Sequence, residues 1–178
     1  SRILKALPTS RLVLNTVAYT DAEITRRYRE MFARNGVNPD RVDFQFTSPQ
    51  SKTWDAYADI DIALDPFPHN GGTTTIEALW LGVPSICLRT RPSVGCLGAT
   101  IMGSVGLGSW VAGDQDEYVE LAVRRARNIE SLATLRSNLR SHMAASPLCD
   151  ARGLAVELER VYGSLWQDYC DRESKIER

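Results

Sequence analysis

An α/β fold, with a parallel sheet covered by helices, is what this sequence predicts, and three observations carry that reading. Strand-like and helix-like segments alternate from one end of the 178 residues to the other. The strand-like runs are short and continuously apolar, as in strands buried on both faces. Helix caps and glycine stops separate them, and this alternation argues for a parallel sheet with crossover helices.

The elements follow in order. Residues 2–7 read as the tail of a helix stopped by Pro8, which lacks an N–H donor. Residues 11–14 are a buried strand. Asp21 is placed to cap a helix over 22–35, where Ile24, Tyr28, Met31 and Phe32 recur at helical spacing and Gly36 ends the run. Residues 41–46 alternate like a strand, 51–58 form a short helix, and 61–65 a further strand, read as buried. A Thr-rich helix then runs to Gly82, with Pro84 just beyond, and 83–88 is another apolar strand. Residues 96–105 read as a helix weakened by Gly98 and Gly103, and 109–112 as a short edge strand. Asp114 caps a helix to about residue 128, with Glu117 at the capping-box position. A helix over 129–144 carries Leu132, Leu135 and Leu139 on one side, and a longer one over 152–171 carries Leu154, Leu158, Val161, Leu165 and Trp166. The charged residues 172–178 read as a frayed tail. Residues 1–150 thus form one domain and 151–178 a terminal helix.

Composition narrows the function. The 43% apolar content suffices for one globular core, and 21 basic against 22 acidic residues leave a net charge of −1. That balance excludes a basic nucleic-acid footprint or a patch for acidic membranes. No apolar run approaches the roughly 18 residues that span a bilayer. Cys87, Cys96, Cys149 and Cys170 show no Cys-x-x-Cys spacing, and His69 and His142 lie far apart, so no metal site is expected. Unpaired thiols fit a reducing compartment, and a cytoplasmic location is the expectation. The chain opens on Ser1-Arg2-Ile3-Leu4 and reads as a piece of a longer protein.

Chemistry concentrates in residues 69–80, His-Asn-Gly-Gly-Thr-Thr-Thr-Ile-Glu-Ala-Leu-Trp. Gly71 and Gly72 let backbone approach a ligand closely, since no Cβ intervenes. Thr73, Thr74 and Thr75 bring hydroxyls beside the unpaired N–H groups of a first helical turn, where the helix dipole favours an anion. Glu77, one turn after Thr73 on the same face, can accept two hydrogen bonds from a ribose diol. Phosphate then sugar describes a nucleotide site. The same residues also suit a plain strand-to-helix turn with Thr73 as its N-cap, and Glu77 is favoured by the dipole in any case. His69 has no Ser-His-Asp partners. Asp59, Asp61 and Asp65 do not form a metal cluster, and turn or capping roles account for them. Ligands in parallel sheets bind beyond the carboxyl ends of strands, which is where loops 47–53 and 66–73 fall.

At these residues the sequence resembles the O-linked N-acetylglucosamine transferase and SPINDLY group of glycosyltransferases. The resemblance lies in Asp61-Ile-Ala-Leu-Asp-Pro-Phe-Pro68, Asn70-Gly-Gly-Thr-Thr-Thr75 and Glu77-Ala-Leu-Trp-Leu-Gly-Val-Pro84. It continues through Gly106-Leu107, Asp116-Glu117-Tyr118, Leu135-Arg136, Ser146-Pro147-Leu148-Cys149 and Leu158-Glu159-Arg160-Val161-Tyr162 with Trp166.

The resemblance implies a Rossmann-like parallel sheet forming the C-terminal half of a two-domain, GT-B type enzyme, with its first strand missing and residues 151–178 as a helix packing on the catalytic region. It implies that Gly72, Thr73 and Thr74 contact the diphosphate of a UDP-sugar donor, Glu77 the ribose, and Ser48 and Gln50 the base. His69, Thr53 and Arg89 are further candidates, and no metal or cofactor is expected. The implied reaction transfers a sugar, N-acetylglucosamine from its UDP donor or fucose from GDP in some plant members, to protein Ser or Thr hydroxyls with inversion. The implied partners are the donor, a protein acceptor, and an N-terminal catalytic half with tetratricopeptide repeats in the same chain. The isolated 178 residues are expected to be inactive.

Departures stand beside these matches. Thr53 replaces a usual His, Ser93 and Cys96 replace a His and an Arg, and the family's phosphate-binding Lys falls upstream of Ser1. Arg89 and Arg91 lie near the altered segment 92–98. A degenerate binding or scaffold domain, and a different two-domain glycosyltransferase or sugar-nucleotide epimerase, are the alternative readings.

Overall fold

The computed structural model describes residues 1–91 and 93–176, and only the backbone of Gln50, Ser51 and residues 173–176. All described strands pair in parallel, in two sheets. Strand β1 (Leu12–Asn15) pairs with β2 (Val42–Gln45), Leu12 opposite Val42. The second sheet has the order β3 (Ala63–Leu64), β4 (Ser85–Leu88), β5 (Val111–Ala112). Among the described residues the two sheets share no ladder.

Each crossover is helical, as parallel pairing demands. Helix α1 (Arg2–Ala6) leads into β1, and α2 (Ala22–Arg34) joins β1 to β2. Helix α3 (Gln50–Ala56) and a 3-10 turn (Tyr57–Asp59) carry the chain to β3. Helix α4 (Thr73–Trp80) lies between β3 and β4, and α5 (Leu97–Ser104) between β4 and β5. Three helices close the chain: α6 (Gln115–Arg127), α7 (Ile129–Ala144) and α8 (Ala151–Ile176).

Strand β4 is the centre of the core. All four of its residues are buried, because β3 and β5 pair its edges while α4, α5 and α6 pack against it. Leu79, Ile86, Met102, Leu121 and Leu139 fill the space around it. A smaller cluster of Leu4, Val37 and Val42 holds β1 and β2 to α1, and the Arg41 guanidinium donates to the carbonyls of Leu4, Leu7 and Ser10. Helix starts are capped by side chains. Asp21 Oδ1 accepts from Glu23 N–H (2.7 Å), Asp114 Oδ1 from Asp116 and Glu117 N–H, and Asn128 Oδ1 from Ser131 N–H. Glu117 reaches back as its position predicts, although it accepts from Gly113 N–H (2.7 Å), one residue ahead of the cap.

Two expectations from sequence require correction. The strand over 61–65 contracts to Ala63–Leu64. Ala63 N–H donates to Pro84 and Asp65 N–H to Ile86, while exposed Asp61 turns outward to pair with Arg136 at 2.6 Å. Residues 172–176 are helical rather than frayed, because α8 continues to Ile176 through residues that meet no breaker, and residues 177 and 178 lie outside the described ones. Along α8 the apolar side chains are exposed, Trp166 at 66%. No described helix is long and apolar enough to cross a membrane. Replacing Ile86 by Ala should lower stability by about 2–5 kcal/mol, the usual result of opening a cavity in a close-packed core. Urea denaturation of the variant against the parent measures it.

Candidate functional site

The site grows from the end of β3. Asp65, the residue after that strand, is only 4% exposed. Its Oδ1 accepts from Gly71 N–H at 2.7 Å and from the Thr75 hydroxyl at 3.3 Å. Its own carbonyl accepts from the Tyr118 hydroxyl of α6 at 3.0 Å. Asn70, 2% exposed, donates through Nδ2 to the carbonyls of Pro66 (3.0 Å) and Leu88 (3.4 Å), and its Oδ1 accepts from Gly98 N–H (3.3 Å). Two buried polar side chains therefore fix both ends of the 65–72 loop to β4, α4, α5 and α6.

This scaffold places the head of α4. Gly72 is its N-cap, and Thr75 and Ile76 N–H both donate to the Gly72 carbonyl, so the amides of Gly72, Thr73 and Thr74 stand ahead of the first intrahelical bond. The plain-cap reading of Thr73 does not hold, since Thr73 is the first helical residue and no side chain caps this helix. Thr73 and Thr74 are exposed residues, whereas the Thr75 hydroxyl turns inward to Asp65. The glycines also divide their roles. A Cβ on Gly71 would lie 2.7 Å from Thr75 Oγ1 and 3.0 Å from Asp65 Oδ1, so its bareness serves internal packing. A Cβ on Gly72 would meet only the Leu97 side-chain end at 3.2 Å.

Other candidates stand along the same strand ends. Glu77 is half-buried one turn into α4, and its charge, after burial, helps push the Tyr57 hydroxyl up. That places the 3-10 turn following α3 beside α4. Ser48 is exposed between β2 and α3, and the Gln50 side chain lies outside the described residues. Thr53 is half-buried, with Oγ1 3.0 Å from Thr47 Oγ1 and donating to the Thr47 carbonyl at 3.1 Å, while Asn15 Nδ2 donates to Thr47 Oγ1 at 2.7 Å. Thr53 thus ties its own loop together instead of reaching outward. His69 is exposed in the 65–72 loop, and Arg89 is exposed at the end of β4. Cys96 donates its thiol to the Thr90 carbonyl (3.1 Å) within the 3-10 turn Ser93–Cys96, and Pro92 lies outside the described residues. Among the described residues no group of three His, Cys, Asp or Glu could hold a metal.

Residues 1–158 match the sequence profile of glycosyl transferase family 41. The chain belongs to that family. Among relatives of the family-41 chain, a probable UDP-N-acetylglucosamine–peptide N-acetylglucosaminyltransferase SPINDLY of Petunia hybrida is 38% identical over 96% of this chain and 18% of its own length. The Arabidopsis thaliana protein of that description is 37% identical over 97% of this chain and 19% of its own. A solved structure of a mutant O-GlcNAc transferase from Thermobaculum terrenum superposes with a TM-score of 0.89 at 33% identity, over 96% of this chain and 33% of that one. This chain thus spans under a fifth of the length of those relatives and a third of the solved chain. The fold is accordingly the Rossmann-like part of a GT-B glycosyltransferase.

Sequence reading missed how much of this family-41 turn depends on Asp65 and Asn70. The signal was present as an Asp closing a strand six residues before a glycine pair, and a turn role was the most it allowed. Burial pushes the Asp65 carboxyl above the ordinary value of 3.8, against the opposing pull of Gly71 N–H, Cys87, Thr75 and His69. Such an acid holds more protons folded than unfolded between the ordinary value and the raised one, so its contribution to stability falls as pH climbs through that window. As pH climbs from that ordinary value through the raised one, the urea midpoint of the parent should therefore lose ground against Asp65→Asn, which cannot ionise. Parallel profiles for the two would contradict it.

Proposed function

We propose that this chain is the donor-binding part of a protein O-glycosyltransferase that takes a UDP-sugar, UDP-N-acetylglucosamine, and transfers the sugar to Ser or Thr hydroxyls of a protein acceptor. The observation that carries it is the head of α4. Three consecutive amides ahead of the first helical bond and two exposed threonines lie together there, at a helix N-terminus. When the glycosidic bond to the donor breaks, negative charge develops on the departing diphosphate, and fixed N–H donors stabilise it without having to reorganise. In this reading Gly72, Thr73 and Thr74 hold the diphosphate, Glu77 the ribose diol, and Ser48 with Gln50 the base. The relatives, described as probable UDP-N-acetylglucosamine–peptide N-acetylglucosaminyltransferases, support the donor and the acceptor class.

The remainder of the cleft belongs to parts of a longer protein. β1 and β3 each carry a ladder on one edge only among the described residues, and α1 is placed as the return helix of a strand–helix–strand unit. A strand ahead of α1, paired in parallel with β1 by the right-handed crossover rule, would join the sheets in the order β2-β1-new-β3-β4-β5. The strand order would then reverse beside the 65–72 loop, where such sheets hold nucleotides. The N-terminal catalytic half and tetratricopeptide repeats make up the rest of the reading. The exposed Leu154, Leu158, Val161 and Leu165 of α8, at helical spacing, suit packing on that catalytic region.

Calorimetric titration of the intact protein with UDP tests the site. Thr74→Ala and Glu77→Ala should each weaken binding by roughly tenfold, the usual worth of a charge-assisted hydrogen bond. Unchanged affinity in both variants would remove the assignment.

A further inference from the structure

The turn at the head of α4 is built on a buried carboxyl group. Gly71 N–H, the first amide of the Gly-Gly-Thr-Thr run, is already committed to Asp65 Oδ1 at 2.7 Å, and the Thr75 hydroxyl is committed to the same oxygen. Neither can serve a ligand while those bonds stand. The donors left for an anion are the amides of Gly72, Thr73 and Thr74, so Asp65 decides where the binding register begins and ends. Asp65 in turn cannot drift. Its N–H donates to Ile86 of β4 and its carbonyl accepts from Tyr118 of α6.

The second carboxyl oxygen explains a glycine elsewhere. Asp65 Oδ2 is buried with no partner at good hydrogen-bond geometry, beside the Cys87 thiol, which favours the ionised carboxylate. A Cβ built on Gly98 of α5 would lie 2.3 Å from that oxygen and 3.0 Å from Cys87 Sγ. Real side chains do not approach so closely, so residue 98 has no Cβ because the Asp65 carboxyl occupies the space. Gly98 N–H also donates to Asn70 Oδ1, the residue just before the turn. The first turn of α5 and the donor turn therefore meet across one carboxyl group.

We propose that Asp65 is the positioning residue of the donor site, holding the Gly72–Thr74 amides in register for a diphosphate, and that Gly98 is its required counterpart. This rests on the nucleotide-sugar reading above. Asp65 touches no substrate. It acts through Gly71 and Thr75, so its removal loosens diphosphate binding while leaving the nucleoside contacts at Glu77 and the 48–50 loop in place.

The test is titration of the intact protein with UDP and, separately, with uridine, for the parent and for Asp65→Ala, Asp65→Asn, Gly98→Ala and the Asp65→Ala/Gly98→Ala double variant, with a melting transition recorded for each. Asp65→Ala should weaken UDP by about tenfold or more and leave uridine within about twofold, the size expected for lost anion hydrogen bonds. Asn keeps an oxygen for Gly71 and should restore most of the UDP affinity. Gly98→Ala should reproduce the UDP-selective loss. The double variant should be no worse than Asp65→Ala alone, because removing the carboxyl vacates the space the new methyl needs. UDP affinity unchanged in Asp65→Ala, equal weakening of UDP and uridine, or additive losses in the double variant would overturn the inference and leave the nucleotide-sugar reading intact. If Asp65→Ala shows no melting transition, Asp65→Asn and Gly98→Ala decide by the same UDP-to-uridine comparison. A parent protein that binds neither ligand would instead remove the nucleotide-sugar reading, and this inference with it.

Discussion

Nearly every feature of the candidate site traces to one buried carboxyl group meeting the chain that follows it. Asp65 sits where β3 ends, and through one oxygen it gathers the Gly71 amide and the Thr75 hydroxyl. Burying a carboxylate is costly unless its hydrogen bonds are made. Here one oxygen is satisfied, the other is left against Gly98 and Cys87, and burial raises the group's affinity for a proton. That residual cost is tolerated because the group lies in the best-packed part of the molecule, between β4, α4, α5 and α6. The same packing makes the turn rigid. A binding surface made of backbone amides has no side chains to adjust, so its precision must come from what stands behind it.

The exposed side of the turn has a different character. Thr73 and Thr74 face solvent, Glu77 is half-buried, and Ser48, His69 and Arg89 are exposed along neighbouring strand ends. The altered positions also have local explanations. Thr53 closes a hydrogen-bonded loop with Thr47 and Asn15, and Cys96 bonds back to Thr90. Thr53 and Cys96 both stabilise their own loops.

Much of this fold could be read from local pattern. Asp21, Asp114 and Asn128 cap their helices through short side-chain oxygens, and Gly36 and Gly82 end theirs with positive φ, because each signal acts within a few residues. The placing of Gly72–Thr74 at the head of a helix, with Glu77 one turn along it, was legible too. What local pattern could not supply was tertiary. Asp65 draws on Gly71, Thr75, Cys87, Gly98 and Tyr118, residues spread over more than fifty positions. The inward turn of Thr75 is set by that same carboxyl. The shortness of β3 depends on where β4 offers partners, and the division into two sheets depends on which edges find a neighbour.

Amide hydrogen exchange on the intact protein, with and without UDP, tests the central claim most directly, because it reads the donors themselves. If the amides ahead of the first bond of α4 bind the diphosphate, exchange at Gly72, Thr73 and Thr74 slows on addition of UDP. Gly71, already bonded to Asp65, is protected before UDP arrives and changes little. Protection that appears only elsewhere in the chain, or a Gly71 amide that exchanges freely until UDP binds, would contradict the account.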